Sequence, residues 1–214
     1  MKPKHKSTKK RAGRNGHGPI ADFLFEVGML AKTPRSGFHF LGSGQQSVAE
    51  HLNRVAYVAY VLARLEKDVN VGEAVTLALF HDLGEARTSD LNYVHQKYAN
   101  ADEFRAIEDL AGTLPFGDEL RRMVKDLKAK VKKEAVIAKD ADQLELLLSL
   151  KEQFDIGNTR AKSWILPTVK RLKTKTAKTL AREIIRTPSD NWWFNNKNDR
   201  WWVDRNGKLP KGKV

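Results

Sequence analysis

Apolar residues return at the three- and four-residue spacing of an α-helix through most of this chain, and each run stops at a proline, a glycine or a short polar cap. Ile20, Phe23, Leu24, Val27, Leu30 and Ala31 form the first run, headed by Pro19, which a first helical turn accepts. Thr33-Pro34-Arg35-Ser36-Gly37 breaks it, and Gly42 and Gly44 prolong the loop. Ser47-Val48-Ala49-Glu50 has capping-box spacing and opens a long helix to about Arg64. Asn70 with Glu73 repeats an N-cap pattern ahead of the apolar run 74–79, which leads into Phe80-His81-Asp82. Residues 88–100 read as an irregular loop. Residues 101–111 are amphipathic, with Phe104, Ile107, Leu110 and Ala111 as the apolar positions, and Pro115 and Gly117 separate them from a helix over 118–129. The stretch 134–154 is strongly helical, with Ile137, Ala141, Leu144, Leu147 and Leu148 on its buried side and Gly157 and Asn158 at its end. A last helix is expected over 164–185, closed by Pro188. No strand-like alternation precedes residue 190 and no repeat is present, so the expected fold class is an all-α bundle.

From residue 191 the pattern changes. Trp192-Trp193-Phe194 and Trp201-Trp202-Val203 flank a polar stretch over 195–200, and Asp204-Arg205-Asn206-Gly207 supplies turn chemistry. A short hairpin docked by its aromatics on the helical body is expected, because exposed tryptophans invite aggregation. A lid or a surface that grips single-stranded bases is the competing use of Trp beside Lys and Arg.

Charge divides the chain in the same way. The net +13 of these 214 residues sits at the ends: seven Lys/Arg and no acid in residues 1–14, and 13 basic against four acidic residues in 170–214. Residues 15–169 hold 19 basic and 22 acidic residues, unlike a uniformly basic nucleic-acid-binding domain. The chain is therefore divided into a basic, disordered leader (1–16), a helical domain (17–188) and a Trp-rich basic extension (189–214). Non-specific polyanion contact is expected at the termini. No stretch approaches the roughly 20 apolar residues of a bilayer span, and the basic N-terminus lacks the apolar core of a secretory signal. Cysteine is absent, which excludes disulfides and thiolate metal sites and fits a reducing compartment, so a cytoplasmic, non-membrane protein is expected.

Candidate chemistry concentrates at His81-Asp82. An aspartate in an apolar helical run is costly unless it is paired or bound to a metal. Adjacent helical residues point about 100° apart, so both side chains can bend toward one ion without sharing a stripe. His51 lies upstream and Asp142 downstream on other helical runs. Two imidazoles and two carboxylates make a nitrogen/oxygen shell for one divalent cation, with Mn, Co, Fe, Zn or Mg as candidates. Asp140 competes with Asp142 for the same place, but it is rotated by about 200°, while Asp142 keeps register with Glu145 near the apolar face. Glu85 follows His81 by four residues and Asp82 by three, so a continuing helix sets it on their side one turn on.

The order His…His-Asp…Asp over a helical chain resembles the HD-domain metal-dependent phosphohydrolases, most closely their 5′-deoxyribonucleotidase branch, across roughly residues 20–186. The likeness rests on Thr33-Pro34-Arg35-Ser36-Gly37, on Ser47-Val48-Ala49-Glu50-His51, on His81-Asp82-Leu83-Gly84-Glu85 with Ser89-Asp90-Leu91, and on Lys139-Asp140-Ala141-Asp142-Gln143. It implies His51, His81, Asp82 and Asp142 as metal ligands, Arg35 as a phosphate contact, Glu85 as a catalytic carboxylate near the attacking water, and Asp90 as an acid near the sugar and scissile phosphate. A homodimer is implied on the same ground. Arg35 suits its role physically, since its guanidinium is a planar, permanently charged fork. His95 and Lys97, in the following loop, are further candidate phosphate contacts. Two positions depart from the branch. Ser36 stands where some members carry a tryptophan near the sugar, and Ser89-Asp90 stands where Gly-Asp is often found, with no proline after it.

The implied function is removal of phosphate from (deoxy)ribonucleoside 5′-monophosphates. One alternative keeps the site and releases triphosphate from deoxynucleoside triphosphates, with the basic segment 170–186 (Lys170, Arg171, Lys173, Lys175 and Lys178) holding the longer chain. Another is a nucleic-acid-binding protein whose HD-type site is secondary, carried by the basic ends and the Trp pairs.

Overall fold

A computed structural model of the chain describes residues 16–196. The basic leader up to residue 15, and the 201–207 part of the expected hairpin, lie outside the described residues. The helices in chain order are α1 (Gly18–Val27), α2 (Phe38–Leu41), α3 (Val48–Leu65), α4 (Val71–Phe80), α5 (Glu85–Thr88), α6 (Glu103–Ala111), α7 (Gly117–Ala129), α8 (Lys133–Asp155), α9 (Thr159–Arg171), α10 (Lys175–Arg186) and α11 (Asn191–Phe194). Short 3₁₀ turns follow α1 and occupy His95–Lys97. Among the described residues the strand content is a single bridge, Pro34 to Ser47.

α8 is the axis of the molecule, packed against α3, α4, α7, α9 and α10. Its middle has no solvated face: Ala135, Ile137, Ala138, Ala141, Leu144, Leu147 and Leu150 are all buried. The polar side chains buried with them, Asp140, Asp142, Glu145 and Ser149, all have partners on neighbouring elements or on α8 itself. The main core joins it to α3, α4 and α10 through Val55, Leu62, Leu77 and Ala177. A second core under α1, α6 and α7 gathers Phe23, Leu30, Leu52, Ile107, Leu110 and Leu120.

Local capping explains where the helices start. Ser47 Oγ accepts the Glu50 amide at 3.1 Å while Glu50 Oε2 accepts the Ser47 amide at 2.6 Å, which completes the capping box of α3. Asn70 accepts the Glu73 amide at 3.1 Å and starts α4.

The structure departs from the sequence expectation at several points, each for a visible reason. The last helix is two helices: Thr174 accepts the Ala177 amide at 3.1 Å and so caps a new start at α10, leaving Leu172 and Lys173 in a turn. α2 sits inside the expected loop, ended by Gly42 at φ 76°, a left-handed conformation that favours glycine. His81 and Asp82 lie just past α4, in a tight turn, rather than on the helix. Leu24 and Phe104, expected in the core, are exposed, and Leu148 is only partly buried. Trp192, Trp193 and Phe194 belong to the helical turn α11 rather than to a strand, and Trp192, at 85% exposure, is not docked on the body.

Candidate metal centre and substrate cavity

Four elements deliver the candidate residues. The loop carrying Arg35 is pinned at its base, where the Arg35 amide donates to the Gln46 carbonyl at 2.8 Å and the Val48 amide to the Thr33 carbonyl at 2.9 Å. His51 stands on the first turn of α3, fixed by the capping box. At the end of α4 the last carbonyls have no helical partner, and the Ala78 carbonyl accepts the His81 ring at Nδ1, 2.7 Å away. The following backbone tightens into i→i+3 bonds, Leu83 to Phe80 and Glu85 to Asp82, which turns Asp82 inward. Asp142 comes from the middle of α8.

These side chains converge. One donor atom each from His51, His81 and Asp142 lie within 4.8 Å of one another. Asp142 Oδ1 is 3.4 Å from His51 Nε2 and 3.7 Å from His81 Nε2. Asp82 Oδ2 is 3.2 Å from His81 Nε2 and 3.6 Å from His51 Nε2. Both Nε2 atoms are buried and have no hydrogen-bond partner among the described residues. The Nδ1 atoms face an acceptor in each case, so a neutral ring keeps its proton on Nδ1 and offers its Nε2 lone pair where the carboxylate oxygens stand, a place that a second proton fills when no metal is bound. Lone pairs pointed at one another out of water call for a cation between them. A divalent ion fits the donor set of His51, His81 and Asp142, with Asp82 at its edge, where Oδ2 stands by both imidazoles and also pairs with Arg35 at 3.3 Å.

The protonation behaviour carries the same message. Burial opposes charge on His81, yet the Asp82 and Asp142 carboxylates outweigh it and lift its pKa to about 10. His51 is raised too, against burial, by Asp142 and Glu145. Asp82 falls to about 2 although burial works the other way, because His81 and Arg35 favour its charge. Asp142 is held well below the ordinary range in spite of burial, with Lys139 the largest favourable influence. Lys139 Nζ lies 2.9 Å from Asp142 Oδ2, and Gln143 donates to the same oxygen at 3.1 Å. Left to itself, the site gathers protons to offset its carboxylates.

Glu145 supports the cluster, a role the sequence does not announce beyond its register with Asp142. Its Oε2 lies 2.5 Å from His51 Nδ1. Its Oε1 accepts Gln46 Nε2 at 2.7 Å, Arg54 Nε at 3.0 Å and Nη2 at 2.8 Å, and Ser149 Oγ at 3.1 Å. Burial would raise its pKa, but His51 and Arg54 bring it to about 2. Arg54 follows His51 by about one helical turn on α3, and that spacing is the one signal in the chain that points to it.

Arg35, Glu85 and Asp90 border the cluster. Arg35 Nη1 is 3.3 Å from Asp82 and 3.8 Å from Asp90. Asp90 accepts the Ser36 amide at 2.8 Å through Oδ2, and its carbonyl accepts Ser36 Oγ at 2.7 Å. Ser36, at the position that departs from the branch, is thus a brace for Asp90. Ser89 holds φ 63°, left-handed backbone that glycine takes at less cost, which explains why Gly-Asp is frequent at this place. Glu85 is 8% exposed with Oε2 unpartnered; burial first, then Asp82 and Asp90, push its pKa up to about 9. Arg35 and Asp90 also line a cavity of about 370 Å³ with Phe38, Leu146, Leu150 and Trp164. Lys97 does not reach it: its ammonium is exposed and sits 4.4 Å from the centre of the Tyr93 ring. Of the basic segment 170–186, Arg171 lines the cavity, while Lys170, Lys173, Lys175 and Lys178 do not contribute to it.

Comparison with known proteins agrees with this geometry. The model of the HD domain family matches residues 27–184. The human 5′-deoxynucleotidase HDDC2 is 30% identical over 152 residues, which cover 66% of this chain and 72% of the relative. The 5′-deoxynucleotidase YfbR of Salmonella arizonae is 33% identical over 150 residues, covering 64% and 71%. Among solved structures, a conserved hypothetical protein from Pyrococcus furiosus has a TM-score of 0.65 at 28% identity, covering 78% of this chain and 99% of its own.

Proposed function

The chain belongs to the HD domain family, and on that premise we propose that it is a metal-dependent phosphomonoesterase acting on deoxyribonucleoside 5′-monophosphates. The observation that carries this reading is the pair of buried, unpartnered Nε2 atoms set against Asp82 and Asp142, directly beside a cavity lined by Arg35 and Asp90. His51, His81, Asp82 and Asp142 would hold the ion. The nitrogen/oxygen set favours Mn²⁺, Fe²⁺, Co²⁺ or Zn²⁺. When bound, the cation would make a water more acidic and offset charge on the phosphoryl oxygens.

The chain's own residues do the rest. Arg35, now paired with Asp82 and Asp90, turns its fork to the phosphate, a bidentate contact that fixes the phosphorus for in-line attack. Without metal, burial and the neighbouring carboxylates keep Glu85 protonated at neutral pH; a cation held beside it would favour its charged form, which would accept the attacking water's proton as the P–O bond forms and pass it toward the departing 5′-oxygen. Asp90, braced by Ser36, sits where it can contact the sugar or the departing 5′-oxygen. The products are the deoxynucleoside and orthophosphate. The homodimer and the cytoplasmic setting belong to the same proposal, and no described helix is long and apolar enough to cross a membrane.

The test is a screen of mono-, di- and triphosphate nucleotides with Mn²⁺, Co²⁺, Mg²⁺ and Zn²⁺, reading the inorganic product. Orthophosphate from deoxynucleoside monophosphates is expected, and Asp82→Ala should lose turnover and bound metal together. Release of inorganic triphosphate from dATP, with monophosphates untouched, would replace this reading with the triphosphohydrolase one.

A further inference from the structure

α8 leads from the metal cluster into the cavity. Leu146 and Leu150 follow Asp142 at one-turn intervals, and both line the space of about 370 Å³. Each turn rises about 5.4 Å, so this row lays an apolar floor one and two turns beyond Asp142 along α8. Arg35 and Asp90 mark the polar end of the same space, and Phe38 and Trp164 wall it farther on.

Trp164 comes from α9, a helix no catalytic motif touches. It packs on the small cluster of Leu41, Leu150 and Ala161, yet it is only partly buried and contributes to the cavity wall. Its Cζ3 lies 3.9 Å from where a Cβ on Gly37 would stand, an ordinary contact that sets the ring against the loop holding Arg35 and Ser36. Trp164 thus brings an aromatic ring to the wall of the cavity that Arg35 and Asp90 also line, and an aromatic ring is what a nucleobase stacks on.

We propose that Trp164 is the base-stacking, specificity-determining residue, so that hydrolysis depends on the nucleobase as well as on the phosphate. This rests on the phosphomonoesterase reading above. Three full-length proteins test it: wild type, Trp164→Leu, which keeps apolar bulk, and Trp164→Phe, which keeps an aromatic ring. Each is assayed on a deoxynucleoside 5′-monophosphate and on 2-deoxyribose 5-phosphate, which has the same phosphate and sugar but no base. The readout is the ratio of the two kcat/KM values. Trp164→Leu should lower that ratio by about ten- to a hundred-fold, the range of a lost base stack, and Trp164→Phe should restore most of it. A ratio in Trp164→Leu equal to the wild-type ratio overturns the proposal.

A second arm needs no turnover. Calorimetric binding of a phosphate-free deoxynucleoside to metal-free protein should weaken in Trp164→Leu and persist in Trp164→Phe; equal binding in all three proteins would also sink the assignment. If the wild type releases orthophosphate from neither substrate, the phosphomonoesterase reading fails, and the binding arm still decides the role of Trp164.

Discussion

Asp140 and Asp142 stand two residues apart on α8, both under 10% exposed, and the fold uses them for opposite ends. Asp140 faces the junction of α9 and α10. Its Oδ1 accepts the Lys173 amide at 2.8 Å, and its Oδ2 accepts the Thr174 amide at 2.8 Å and the Thr174 hydroxyl at 2.7 Å. Every donor it meets is protein, and the result is a turn. Asp142 faces α3 and the end of α4. Its Oδ2 is taken by Lys139 and Gln143, but its Oδ1 stands 3.4 Å and 3.7 Å from the buried Nε2 atoms of His51 and His81, with no well-formed hydrogen bond. Residue type and burial are the same in both cases. The inventory of partners separates them: a carboxylate with both oxygens satisfied by well-formed donors is architecture, and one with an oxygen left facing two metal-ligating nitrogens marks a place for a cation.

The strongest way to break the comparison is to remove each carboxylate in turn. Asp142→Ala should abolish bound metal and phosphatase activity, a larger loss than the roughly 10–100-fold that follows when only a supporting residue goes. Asp140→Ala should keep metal and activity but leave the Lys173 and Thr174 amides unsatisfied, at about 1–3 kcal/mol. For a chain of this size that is a Tm drop of about 2–4 °C per kcal/mol. Metal content and thermal melts on both variants check the pair. Metal loss in Asp140→Ala at an undisturbed Tm would dissolve the distinction.

A finer contrast divides the two histidines. His81 is steadied by a backbone carbonyl, whereas His51 leans on the buried carboxylate of Glu145, itself tied to Arg54, Gln46 and Ser149. A carboxylate partner fixes the imidazole tautomer and makes the ring a better donor to a metal. Glu145→Gln keeps the shape and removes the charge, so metal affinity by competition with a chromophoric chelator should fall about 10–100-fold. An unchanged affinity would reduce Glu145 to packing.

Much of this is legible in the amino-acid sequence. The capping box at Ser47, the cap at Asn70 and the apolar period through 134–154 are local signals, and α3, α4 and α8 begin within a residue or so of where they predict. The absence of cysteine and the His…His-Asp…Asp order narrow the chemistry, and the motifs point to residues that the fold draws together. What stays hidden depends on long-range supply of partners. Thr174 is a local cap, but nothing local tells that Asp140 receives the turn it starts, or that Lys97 stays clear of the cavity. Glu145 reads as a register companion of Asp142, and its partner on α3 becomes visible only when the two helices pack. Trp164 reads as the start of a helix that in fact begins at Thr159.

The pH dependence of stability without metal follows from the Asp142 side of the comparison. His81 holds its proton up to about 10 in the fold, against 6.5 when free, and His51 is shifted the same way. An unfolded chain sheds these protons near 6.5, so above that pH the native state binds more protons than the unfolded one and stability falls as pH rises toward about 10. Glu85, raised from 4.5 to about 9, loses stability with rising pH in the same sense, starting lower. Asp82 and Glu145, held near 2, act oppositely and cost stability only as pH drops below about 4. Metal-free protein should therefore melt at its highest temperature in mildly acid buffer and lose Tm progressively as pH climbs from about 6.5 to about 10. The gain in Tm on adding Mn²⁺ should widen over the same interval, because the ion no longer competes with imidazole protons. Asp142→Ala, by removing a carboxylate that sustains the His81 proton, should narrow the alkaline window, while Asp140→Ala should lower the whole curve and leave its shape. Melts by scanning fluorimetry across pH, with chelator and with Mn²⁺, read all of these, and a metal-free Tm that rises from about pH 6.5 to about pH 9 would contradict the protonated cluster.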